Sequence, residues 1–147
     1  MMNLQNCGVR SLIVPVSCAS NATATARLDT LGYDECSILV HLDSAASTTS
    51  NPAQIKVLEC DTTVVNDFVA ITGFDGDATD GFVIPAVSAT VGTIVKLNFD
   101  LRRRKRYLRL LVQPSTAGAM LISATAILGR AENSTTAQAD AGIQVNG

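Results

Sequence analysis

The sequence predicts an all-β protein, a single antiparallel β-sandwich of jelly-roll type with extended termini. Three observations predict it. From Cys36 onward, apolar residues recur with period two or in runs shorter than a helix. The separators SAASTTSNP, GFDGDATDG, ATVG and QPSTAG are rich in the residues that make turns. No convincing amphipathic helix lies between these stretches, which favours a sandwich over alternating strand and helix.

The candidate strands, in order, are residues 12–16, 22–28, 36–42, 54–60, 67–72, 81–85, 93–101, 107–113 and 119–128. The first is the short apolar run LIVPV, interrupted by Pro15. SAASTTSNP divides the third from the fourth, GFDGDATDG the fifth from the sixth, ATVG the sixth from the seventh, and QPSTAG the eighth from the ninth. The best alternation lies in VKLNFDL, where Val95, Leu97, Phe99 and Leu101 point to one face and Lys96, Asn98 and Asp100 to the other. One side of that strand is core. In the eighth strand Leu108, Leu110 and Val112 share a face, opposite Tyr107, Arg109 and Leu111. The stretch AENSTTAQADAGIQVNG has no period and few large apolar groups, so it reads as an extended tail. The expected organisation is residues 1–26 as an N-terminal arm and first strands, 27–130 as the sandwich core and 131–147 as the tail.

A chain of 147 residues, 47% hydrophobic and 16% charged, is long enough to bury a core without disulfides or a metal. Cys7, Cys18, Cys36 and Cys60 form no CxxC pair, so zinc has no local ligand spacing, and reduced, buried thiols are expected. No stretch approaches the roughly 20 apolar residues of a membrane span, and the opening MMNLQNCGVRSLIVPVSCAS lacks the basic start and longer apolar region of a secretory signal. No membrane partner and no cofactor are expected.

Catalytic signals are weak. His41, the only histidine, sits in SILVHLD with no nucleophile signature nearby, and a histidine on a sheet face is the ordinary reading. The loop FDGDATDGF offers Asp75, Asp77 and Asp80 as oxygen donors for calcium. Counted from Asp75, however, Thr79, Asp80 and Ala86 occupy the fifth, sixth and twelfth positions, which is not EF-hand order. Asp and Gly there are ordinary turn residues. A non-enzymatic protein without a metal site is expected.

The strongest feature is DLRRRKRYLRL. Six of the chain's eleven Lys and Arg residues (Arg102, Arg103, Arg104, Lys105, Arg106 and Arg109) fall within eight positions of a chain whose net charge is −2. They straddle the end of one strand and the start of the next. Such a cluster can grip phosphates, but sites for single-stranded nucleic acid interleave aromatic platforms, and only Tyr107 is present. Arginine forks on carboxylates, in this acidic chain or on a neighbouring subunit, are the favoured alternative.

Three segments, RLDTLGYDECSILVHLD, KVLECDTT and LNFDLRRRKRYLRLLVQPSTAG, appear in that order ahead of a short Ala/Thr-rich strand. This arrangement resembles small tailed-phage head proteins with a DTLGYD-type strand start and a DLRxRKRYL-type segment, of the capsid decoration, or cement, kind. The resemblance spans about residues 27–130. It implies a β-sandwich or jelly-roll core and a structural role in the virion. The protein would bind the outer surface of the capsid, with the major capsid protein as partner, as a homo-oligomer (trimer or dimer) made in the host cytoplasm. Arg102 to Arg106, Tyr107 and Arg109 would serve intersubunit or capsid contacts, without a nucleic-acid partner. A nucleic-acid-binding module and a fibre or host-attachment domain are the alternatives of other classes.

Overall fold

The computed structural model describes residues 7–44, 52–76, 80–87 and 91–131. Among the described residues eight strands run β1 Gly8–Cys18, β2 Ala24–Asp29, β3 Tyr33–Ser44, β4 Pro52–Cys60, β5 Val69–Asp75, β6 Thr93–Asp100, β7 Tyr107–Pro114 and β8 Met120–Ala131. They form two four-stranded antiparallel sheets, ordered β1-β8-β3-β6 and β2-β7-β4-β5. Apart from the β4–β5 step, every connection carries the chain from one sheet to the other, and the last strand lies beside the first. That winding is a jelly roll.

The core lies between the two inner faces. Ile38, Val40 and Leu42 of β3, Ile122, Ala124, Ala126 and Leu128 of β8, and Val95, Leu97 and Phe99 of β6 meet Leu108, Leu110 and Val112 of β7 and Ile55 and Val57 of β4. All are buried, with the period of two expected for VKLNFDL and for β7. Each such aliphatic side chain contributes roughly 1.5–3 kcal/mol when fully withdrawn from water.

The edges differ from expectation in two places. The first strand runs well beyond residues 12–16, because its pairing with β8 continues across irregularities between Ser11 and Ile13 and between Ile13 and Val16. Such bulges let Pro15 sit in an edge strand without breaking it, and they scramble the alternation by which its ends would be read. Residues 81–85, expected as a strand, form none: 82–87 have no regular structure. Pro85 has no N–H to donate to a ladder. Packing helps to hold this stretch. Val87 is fully buried, and Ile84 lies so close to Gly76 that a Cβ there would stand 2.6 Å from Ile84 Cγ1. The Gly76 N–H donates to the Ile55 carbonyl at 2.9 Å.

Of the tail expected for 131–147, only Ala131 lies within the described residues, and the calcium-loop residue Asp77 lies outside them. Among the described residues no helix is long and apolar enough to cross a membrane.

Candidate interaction surface at the β6–β7 crossing

The basic segment is the connection between the sheets. β6 ends at Asp100, a 3-10 turn spans Leu101–Arg103, and β7 begins at Tyr107 in the opposite sheet. Leu101 continues the apolar face of β6 and is buried, which pins the turn to the core while its neighbours face water. Asp100 caps the turn: its Oδ1 accepts from the Arg102 N–H at 3.2 Å. The Arg104 N–H closes it on the Leu101 carbonyl at 3.0 Å.

Three of the arginines engage carboxylates of the same chain. Arg102 forks onto Asp100 through Nε at 2.9 Å and Nη2 at 2.8 Å. Arg106 forks onto Asp29 at 3.0 and 2.8 Å. Arg104 reaches Glu59 at 3.5 Å, and the second oxygen of Glu59 accepts from the Lys105 N–H at 3.2 Å. The hydrogen bonds from Arg102 hold the Asp100 carboxyl at about 2, and those from Arg106, joined by the Leu31 N–H, hold Asp29 below its ordinary value. Thr30 completes the junction. Its N–H and Oγ both donate to the Arg106 carbonyl, at 3.0 and 2.7 Å. Gly32, with φ of 86°, lets the chain reverse from β2 into β3 just beyond it.

The two remaining cations of the turn, Arg103 and Lys105, form no ion pair among the described residues and are exposed. Tyr107 is half-buried, with the Arg106 guanidinium 4.9 Å and the Arg27 guanidinium 5.9 Å from its ring centre. Arg109 points to the outer face of its sheet, 6.0 Å from the Phe68 ring centre. The structure thus brings Arg102 to Tyr107 together at one rim and places Arg109 on the adjoining face. Asp29, Glu59 and Thr30 were not singled out from the sequence; they lie 77, 45 and 76 residues from their partners, and no local pattern announces them.

The other candidates sit elsewhere. His41 is exposed on the outer face of β3, opposite Ile94 of β6 and Ser123 of β8, beside a shallow groove with Pro15, Val16 and Leu121. Among the described residues no group of three His, Cys, Asp or Glu side chains is placed to hold a metal. All four cysteines are free; Cys18, Cys36 and Cys60 are buried, and burial pushes the Cys36 thiol up to about 12.

No protein-family model matches the chain, and no curated protein does. Solved structures match it in fold. A chain from the structure of infectious bursal disease virus, Gx strain, matches with a TM-score of 0.50 at 10% identity, covering 84% of this chain and 32% of the virus chain. This chain therefore spans about a third of that one. The CBM22-1 and GH10 modules of the endo-1,4-β-D-xylanase 10B of Clostridium thermocellum match with a TM-score of 0.49 at 12% identity, over 89% of this chain and 27% of that one. The STIV MCP matches with a TM-score of 0.42 at 7% identity, over 85% and 48%. At such identities the likeness is one of fold.

Proposed function

We propose that this protein is a virion structural protein of the decoration, or cement, kind. On this reading it binds the outer surface of a tailed-phage capsid, as a homo-oligomer, and stabilises the lattice of the major capsid protein. One observation carries the reading. The three segments whose wording resembles decoration proteins lie far apart in sequence, yet they meet at one rim of the jelly roll. RLDTLGYDECSILVHLD supplies Asp29 and Thr30, KVLECDTT supplies Glu59, and LNFDLRRRKRYLRLLVQPSTAG supplies Arg104 and Arg106, which bind them. The apolar residues of these segments build the core, while their charged residues converge on one assembled surface, as a common docking function would need.

The physics of the rim fits a cement. Binding a repeating shell through many modest contacts calls for a rigid scaffold whose charges are held in register. Internal ion pairs, forked at Arg102 and Arg106 and single at Arg104, hold these side chains in place, and the segment presents Arg103 and Lys105 outward, with Tyr107 and Arg109 beside them. The same forks weaken the nucleic-acid alternative. Guanidinium groups already paired with carboxylates release fewer counterions on meeting a phosphate backbone.

The test uses heads assembled without this chain. Purified protein added to them should co-sediment and raise the temperature at which they come apart. Heads that neither bind the protein nor gain stability from it would contradict the reading.

A further inference from the structure

The outer face of the β2-β7-β4-β5 sheet carries two arginines side by side. Arg27 of β2 and Arg109 of β7 are register partners, so their side chains leave the same face from Cα atoms roughly 5 Å apart. Like charges placed directly opposite each other destabilise a sheet. In this protein they are not neutralised: among the described residues neither arginine makes an ion pair, although Arg102, Arg104, Arg106 and Arg130 each have a carboxylate partner. The carboxylates of Asp29 and Glu59 lie on strands of the same sheet but are taken by the rim arginines.

Each guanidinium is oriented instead by an aromatic ring. Arg27 lies over Tyr107 and donates to the Thr63 carbonyl at 3.2 Å, and Arg109 lies over Phe68. A guanidinium supported on a ring keeps its N–H edges available, in the planar fork that matches a carboxylate. The pair is thus positioned, uncompensated and accessible.

We propose that Arg27 and Arg109, supported by Tyr107 and Phe68, form the docking surface for a carboxylate-rich segment of a partner protein. The partner's identity as the major capsid protein rests on the reading above; the acidic chemistry rests on this site alone. Charge complementarity selects that occupant. The chain is net acidic, at −2, so an acidic partner gains attraction where cations stand uncompensated, at this pair and at Arg103 and Lys105 of the adjoining rim. A nucleic-acid duplex calls for an extended track of cations along its backbone, and here three of the neighbouring rim arginines, Arg102, Arg104 and Arg106, are already paired.

The test compares the unchanged protein with Arg27→Gln/Arg109→Gln, with the charge-conserving Arg27→Lys/Arg109→Lys, and with Lys96→Gln on the opposite sheet. Binding is read on heads assembled without this chain and on immobilised poly-L-glutamate. We expect Arg27→Gln/Arg109→Gln to bind heads at least about tenfold more weakly, the loss of one or two charge-assisted contacts. The lysine variant should keep part of the binding and Lys96→Gln all of it, with thermal unfolding midpoints close to that of the unchanged protein. If Arg27→Gln/Arg109→Gln binds heads as tightly as the unchanged protein, the docking surface is overturned and the cement reading stands. If the unchanged protein ignores heads, the cement reading falls, and poly-L-glutamate decides the site: binding that requires Arg27 and Arg109 upholds it, and none overturns it. Tight binding of duplex DNA near physiological salt, lost in the glutamine variant, also overturns it in favour of a nucleic-acid partner.

Discussion

Phe74 and Phe99 stack with ring centres 4.1 Å apart and planes 26° from parallel. Phe99 belongs to β6, the last strand of one sheet, and Phe74 to β5, the last strand of the other, so the contact closes the sandwich along its open side. Stacked pairs contribute about 0.5–1.5 kcal/mol beyond the area they bury. The stack also steadies β6 just before the chain enters the basic turn.

Truncating Phe99, which is 5% exposed, should therefore be costly. Phe99→Ala is expected to lower stability by about 3–5 kcal/mol, and Phe74→Ala, half-buried, by less. Urea unfolding followed by circular dichroism measures both. An unchanged midpoint for Phe99→Ala would contradict the assigned core face.

The inward face of β6 and the alternation of β7 were legible because each strand is regular and half its residues meet water, the condition under which period two survives in the sequence. β1 was legible only at its centre, because bulges around Ile13 shift its phase. Residues 81–85 carry the apolar, β-branched composition of a strand, but a strand also needs a partner ladder, and that depends on distant residues. The same limit hid the rim. That the basic run would engage carboxylates followed from its chemistry and the chain's acidity; that the carboxylates are Asp29 and Glu59 depends on the jelly-roll winding that brings β2, β4 and β7 together.

Thr30 offers a test of the rim that leaves its charges intact. Its Oγ is one of two donors to the Arg106 carbonyl and the residue is buried. Thr30→Val keeps the N–H bond and removes the other, so a loss of about 0.5–1.5 kcal/mol is expected from thermal or urea unfolding. A neutral result would mean that the second bond contributes nothing to the junction.

Acid should loosen the same region. Asp29 and Asp100 have folded values below their ordinary 3.8, with Asp100 at about 2. For a carboxyl depressed on folding, the unfolded chain binds protons first as pH falls. Its stabilising contribution is therefore complete above the ordinary value and is lost between that value and the folded one. Unfolding midpoints should fall as pH drops from about 5 toward 2, and Asp29→Asn and Asp100→Asn should each flatten that slope. Both pairs are largely exposed, so each effect is small. Slopes identical to that of the unchanged protein would show that these forks do not persist in solution.

The most direct test of the account is a cryo-EM reconstruction of the virion that carries this protein. The account predicts jelly-roll density on the outside of the shell, with the β2-β7-β4-β5 face and its Arg27–Arg109 pair turned toward acidic side chains of the major capsid protein. Density for this chain inside the shell, on the tail, or docked through the opposite sheet would contradict it.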